Sequence, residues 1–209
     1  MEYRITALQQ QKNNKHRINV YLDHAFAFSL DMNAALLLYK GRVLTEEDVQ
    51  QLRNEDRRRK AYQQAIRFLA IRNRSRMEMQ RYLEKKGYGA ELTRLTIERL
   101  VQETYINDLD FACRWIENRE RSNPRGRYAL RHELRQKGVD DHIIDEALMD
   151  VDEAASARRA VQKRLYRWQG LDKIDFQKKA GGFLNRRGFP SGVIRDTLEQ
   201  AWEALRSDE

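Results

Sequence analysis

A short signature, Leu-x-x-basic-Gly followed by an apolar residue, occurs three times in this 209-residue chain. The copies are Leu83-Glu84-Lys85-Lys86-Gly87-Tyr88, Leu134-Arg135-Gln136-Lys137-Gly138-Val139 and Leu184-Asn185-Arg186-Arg187-Gly188-Phe189, with leucines 51 and 50 residues apart. Self-similarity at this period marks stacked supersecondary units, none able to bury its apolar face alone. The glycine is placed to end a helix in the left-handed conformation, which it adopts without a Cβ clash. The basic residue before it suits the negative end of that helix. The signature is therefore architecture first: helix stops and core leucines.

Around each copy the apolar spacing predicts three helices. In the first, Ala61, Ala65, Phe68 and Leu69 recur at helical period, and Ser75-Arg76-Met77-Glu78 has the form of a capping box. Ile97, Leu100 and Val101 face inward from the third helix. In the second copy, Asn107 or Asp108 caps a helix carrying Phe111, Ala112, Trp115 and Ile116. Asn123-Pro124 reads as a helix start with proline in the first helical position, and Asp140 or Asp141 caps the last helix. In the third copy, Ala157, Val161, Leu165 and Trp168 read as one helix, residues 175–187 as the second, and Ile194, Leu198, Ala201, Trp202 and Leu205 mark the last. Gly181-Gly182 interrupts that second helix, where each glycine costs about 1 kcal/mol relative to alanine. It points to close helix packing or to a less firmly folded repeat.

The first thirty residues read differently. Residues 3–8, 16–22 and 25–30 are rich in β-formers and predict a three-stranded antiparallel meander. Met32–Lys40 follows as a short helix ended by Gly41, and Thr45-Glu46-Glu47-Asp48 caps a helix whose stretch from Arg53 to Lys60 is nearly all charged. The expected fold is mainly α: tandem three-helix, helix-turn-helix-like repeats in an elongated curved array, preceded by the small β meander. The expected boundaries are 1–60, then repeats at 61–107, 108–153 and 154–209.

A chain that is 34% charged yet 41% hydrophobic, with mean hydropathy −0.86, is polar for a compact globule but too periodically apolar for disorder. Stacked units that expose much surface per residue fit both facts. The net charge of +8 favours a polyanionic partner. It is unevenly spread: the four segments carry +3, +4, −4 and +5, which suits a partner presenting both signs. The single cysteine, Cys113, excludes a disulfide framework. Nothing reads as a signal peptide or membrane span, so a cytoplasmic protein is expected.

Catalysis finds little support. His16, His24, His132 and His142 show no metal-ligand spacing with one another or with Cys113. Asp140, Asp141, Asp145 and Asp150 read as caps and a solvated acidic face, and Asp108 and Asp110 fall on different helix faces. No Walker, GxSxG or CxxC motif occurs. No enzyme activity, cofactor or metal is expected. The candidate contacts for a partner or for DNA are basic: Arg72, Arg74 and Arg76 at the first turn, Lys85 and Lys86 at the first glycine, Arg127, Arg131 and Arg135 along one flank of a helix, and Lys178, Lys179, Arg186, Arg187 and Arg195 in the third repeat. Trp115, Trp168 and Trp202 lie on apolar stripes and are assigned to the core.

An ordered set of these pieces resembles the RecX family, modulators of the RecA recombinase. It comprises Phe68-Leu69-Ala70-Ile71-Arg72-Asn73-Arg74-Ser75 with Glu78 and Leu83, Lys86-Gly87-Tyr88, Tyr105-Ile106-Asn107-Asp108 with Phe111-Ala112, Glu133-Leu134 with Lys137-Gly138-Val139, and Phe183-Leu184 with Arg186-Arg187-Gly188-Phe189. The match covers roughly residues 61–205, and the first sixty residues resemble the extra segment of longer members. The resemblance implies a protein that binds the RecA filament on single-stranded DNA and curbs its ATPase, strand exchange and co-protease activities. Direct binding to single- or double-stranded DNA is a further implication, and a monomer is expected. The alternative is a basic helical-repeat protein that binds DNA without RecA.

Overall fold

The computed structural model describes residues 1–207. The chain falls into two compact units, Met1–Ile71 with Leu83–Thr96, and Arg72–Tyr82 with the residues from Ile97 onward.

The first unit opens on a four-stranded antiparallel sheet of order β3-β2-β1-β4, formed by β1 (Glu2–Gln10), β2 (Arg17–Leu22), β3 (Ala25–Asp31) and β4 (Val43–Thr45). Sequence predicts three of these strands. The fourth is three residues long, too short to show an alternating pattern, and pairs with the start of β1 through Glu2–Thr45, Tyr3–Leu44 and Arg4–Val43. Asp23 and His24 both take positive φ and form the two-residue turn that matches the twist of a β hairpin. Ile5, Val20, Leu30 and Leu44 are fully buried or nearly so, and pack with Val49 of the long helix α2 (Glu46–Leu69). Helix α1 (Met32–Ala35) is shorter than the sequence suggests, because only Ala35 and Leu38 turn inward while Leu36 and Leu37 stay largely exposed. The Thr45–Asp48 capping box forms as expected: Thr45 Oγ1 accepts from the Asp48 amide at 3.1 Å and the Asp48 carboxylate accepts from the Thr45 amide at 2.8 Å. Helix α2 then runs unbroken through the charged stretch, and Arg17 of β2 reaches its buried Asp56 at 2.6 Å.

The remaining helices follow in threes. The end of α2 leads to α3 (Arg76–Lys85) and α4 (Ala90–Gln102). Next come α5 (Asp108–Ser122), α6 (Arg127–Gln136) and α7 (Asp141–Leu148), then α8 (Glu153–Gln162), α9 (Lys173–Asn185) and α10 (Ser191–Ser207). Leu130, Leu134 and Ile144 are fully buried in the second repeat's core, and Phe176, Ala180 and Leu184 in the third.

All three signature glycines do the same work. Gly87, Gly138 and Gly188 have φ of +82°, +75° and +78°. The apolar residue after each donates its amide to the carbonyl of the signature leucine: Tyr88 to Leu83 at 3.2 Å, Val139 to Leu134 at 3.1 Å, Phe189 to Leu184 at 3.4 Å. This is the Schellman helix ending, which satisfies carbonyls the helix leaves orphaned. It explains the whole signature: the leucine is at once core, since all three are fully buried, and acceptor for the turn.

Two expectations fail for tertiary reasons. Proline does not open α6, which starts at Arg127 with Gly126 as N-cap. The Arg187 guanidinium instead donates to the Pro124 carbonyl at 2.9 Å, and the Gly126 amide donates to the Arg187 carbonyl at 2.9 Å, holding residues 124–126 outside the helix. Likewise α8 ends at Gln162, and Leu165–Arg167 form a separate 3-10 turn that still delivers Trp168 to the core against Phe176 and Phe183.

Within the second unit each repeat is fastened to the next at the glycine corner. Ser75 donates its hydroxyl to the Lys137 carbonyl at 2.6 Å, and Met77 sits where a Cβ on Gly138 would fall, 2.3 Å from its own Cβ. One period on, Gly126 abuts Gly188 so closely that a Cβ on Gly126 would lie 2.1 Å from the Gly188 oxygen. In the first unit, Arg57 of α2 likewise donates to the Gly87 carbonyl at 3.2 Å.

Candidate functional site

The basic residues singled out by sequence divide into those the fold uses and those it leaves facing solvent. Arg127, Arg131 and Arg135 recur every fourth residue on α6 and meet α7 in an antiparallel ladder. The Arg127 guanidinium donates to the carbonyls of Met149 at 3.2 Å and Val151 at 2.8 Å, Arg131 pairs with Asp145, and Arg135 pairs with Asp141 at 2.6 Å. The hydrogen bond from Arg135 holds the Asp141 carboxyl below the usual carboxylate range.

Arg72 pairs with Glu78 at 2.9 Å, and Lys137 reaches the same carboxylate at 3.0 Å. Burial alone would raise the Glu78 pKa, but these two hydrogen-bonded cations bring it down. Ser75 still caps α3 through the Glu78 amide at 3.1 Å, while the Glu78 side chain is turned to its cations. Arg74 is half-buried, and burial lowers its pKa. The Arg76 side chain is exposed, and its amide is capped by Asp108 at 2.8 Å. Burial raises the Asp108 pKa, opposed by that amide bond.

In the third repeat, Arg187 is half-buried, stacked 4.3 Å over the Phe183 ring, and burial lowers its pKa. Arg195 contacts Asp196 at 3.2 Å. Lys178 and Lys179 on α9 and Arg186 at its C-terminal cap are exposed, as are Lys85 and Lys86 at the end of α3. Lys179 and Arg186 are seven residues apart, two helical turns on one face. The structure thus gathers one outward set on α9 and another at the first glycine corner. It ties Arg72, Arg127, Arg131, Arg135 and Arg187 into the repeats themselves.

Sequence reading missed two groups. Glu133 is a hub: it accepts from Trp115 Nε1 and from Arg119, both at 2.7 Å, and lies 2.9 Å from Arg125. Its partners are 8 to 18 residues away, and no local pattern marks them. Arg57 and Arg58 fall in the nearly all-charged stretch of α2, yet both line a cleft with the start of α4. Among the described residues no group of three or more His, Cys, Asp or Glu is arranged to hold a metal ion, and no helix is long and apolar enough to cross a membrane.

With this geometry in hand, comparison with known proteins is consistent from end to end. Residues 3–45 match the family model of the regulatory protein RecX N-terminal domain. Residues 61–100, 107–148 and 150–198 match the first, second and third RecX three-helix domains. The chain is 31% identical to the regulatory protein RecX of Bacillus pumilus, covering 98% of this chain and 80% of that one. It is 33% identical to that of Bacillus subtilis over 94% and 76%, and 42% identical to that of Prosthecochloris aestuarii over 68% and 93%. A crystal structure of regulatory protein RecX superposes with a TM-score of 0.72 at 25% identity, covering 93% of this chain and 99% of the other. The RecX structure from Lactobacillus salivarius, at 21% identity and a TM-score of 0.64 over 70% of this chain and 97% of its own, shares the fold. A mainly helical chain of three three-helix domains behind a small antiparallel sheet, matched along its length in sequence and structure, belongs to the RecX family of regulatory proteins.

Proposed function

We propose that this chain regulates the RecA recombinase by binding the RecA–single-stranded DNA filament, curbing its ATPase, strand exchange and co-protease activities in the cytoplasm, and that it acts as a monomer by binding rather than catalysis. The observation that carries this reading is the match of all four RecX domains in order along one chain. The uneven charge supports it. Outward cations lie on the first and third repeats, while the second repeat is net acidic and pairs Arg131 and Arg135 with its own carboxylates. The filament-contact residues proposed here are Lys85 and Lys86 on the first repeat and Lys178, Lys179 and Arg186 on the third, with Arg74, Arg76 and Arg195 at their margins. Arg72, Arg127, Arg131, Arg135 and Arg187 enter as supports that also carry charge to the surface.

The test is RecA ATPase on single-stranded DNA, titrated with the chain, beside direct DNA binding over a range of salt. Suppression of ATPase at concentrations where DNA alone is barely bound is the expected result. Tight DNA binding without RecA, falling steeply with salt, would instead establish the alternative of an autonomous DNA-binding protein, which the exposed cations of α9 favour.

A further inference from the structure

Each glycine corner has a cleft beside it, where the third helix of the repeat begins. Gly89, Asp140 and Pro190, 51 and 50 residues apart, are equivalent positions, and each lines one. The clefts of the second unit contain acids: Asp108 and Asp140 in the one of about 510 Å³, Glu153 beside the already engaged Arg127 in the one of about 430 Å³. The cleft of the first unit differs. It holds about 410 Å³ and is lined by Ala90, Leu92 and Leu95 of α4 and by Asn54, Arg57 and Arg58 of α2. Its one carboxylate, Glu91, is hydrogen-bonded by Arg94 at 2.7 Å, which with Arg58 nearby holds its pKa down. The lining is left with net positive charge beside apolar side chains.

We propose that this first-corner cleft docks a short acidic protein segment that carries an apolar anchor residue. Leu95 is exposed and can cover such an anchor, and Arg58 is exposed to meet a carboxylate, with the exposed Arg57, which also donates to the Gly87 carbonyl, beside it; this is the pairing by which arginine clusters read acidic motifs. The volume lies within the ~300–1,000 Å³ of preformed binding clefts. A nucleic-acid strand fits less well. No aromatic side chain lines the cleft to stack a base, and Glu91 in its lining repels a phosphate. The proposal rests on the chain being a partner-binding regulator, but it concerns a surface that can be read without RecA.

The experiment uses the full 15N-labelled chain and three probes: a 12-residue peptide of Asp and Glu with one Leu and one Phe, the same peptide with Asn and Gln for its acids, and a 12-nucleotide oligothymidylate. The acidic peptide is expected to shift the amides of residues 54–58 and 89–95. The double variant Arg58→Glu with Leu95→Gln, both at exposed positions, should bind it at least tenfold more weakly while keeping its circular dichroism. Shifts elsewhere or none, equal binding of the uncharged peptide, unchanged binding by the double variant, or tighter oligothymidylate binding at the same amides would each overturn the proposal. The RecA ATPase assay stands apart from all of these, because none contains RecA.

Discussion

The Ser75 hydroxyl donates to the main-chain carbonyl of Lys137 at 2.6 Å, joining the turn that opens one repeat's second helix to the turn that closes the next repeat's second helix. Gly126 and Arg187 make the corresponding joint one period later, amide to carbonyl at 2.9 Å. The glycine corner is therefore both a helix stop and the socket for the preceding repeat, and the glycines should differ in what they tolerate.

Gly87→Ala meets open space, so its cost is the left-handed backbone alone, about 1–2 kcal/mol. Gly138→Ala adds a collision with Met77 at 2.3 Å, in the fixed part of that side chain, for a further cost of about 1–3 kcal/mol. Urea unfolding followed by circular dichroism should show Gly138→Ala clearly the more damaging. Equal losses would mean the socket is not tight.

Gly181→Ala should stabilise the third repeat by about 0.5–1 kcal/mol. The added methyl would lie 3.5 Å from Leu198 Cδ1, ordinary contact, so close packing does not require this glycine. The fluorescence of Trp168 and Trp202 reports the unfolding midpoint, and a fall in it would contradict the geometry.

Acid should loosen both units. Asp56 and Glu78 are each pushed up by burial but held below their ordinary values overall by hydrogen-bonded cations. A carboxyl whose pKa is lowered on folding contributes stability above its unfolded value, about 3.9 for Asp and 4.3 for Glu, and loses it as pH falls through the folded value. Asp108, raised by burial, acts with the opposite sign, and its penalty fades as it protonates. Glu78→Gln should cost about 1–3 kcal/mol at pH 7 and give a flatter stability profile below pH 5. A profile parallel to that of the unaltered chain would remove Glu78 from the account.

Arg131→Asp should weaken the α6–α7 ladder, and adding Asp145→Arg should restore the pair with its sign reversed. Pairs this exposed are worth about 0–1 kcal/mol, so the effect on folding is small. If the ladder face also meets the filament, inhibition of RecA ATPase should stay weakened in the restored pair. Full recovery would confine Arg131 to a structural role.

The repeat, its helix stops and its buried leucines are legible in the sequence because they follow from local rules: period, glycine placement and the hydrogen bond back to Leu83, Leu134 or Leu184. What the sequence hides depends on partners that lie on other elements. Pro124 looks like a helix start until Arg187 claims its carbonyl, and the arginines of α6 look free until α7 folds back on them. Strand β4 exists only as an addition to β1. A stripe of like charge along one helix carries no mark of the carboxylates that will stand opposite.

At the two repeat joints the acceptors are the carbonyls of Lys137 and Arg187, and a carbonyl is the same atom whatever side chain accompanies it. Substitution can rewrite the faces of this protein almost freely while the joints between its modules stay chemically constant, provided Ser75 and the glycines remain. A lineage could then retune which surface it offers to a partner without having to rediscover how its parts are joined.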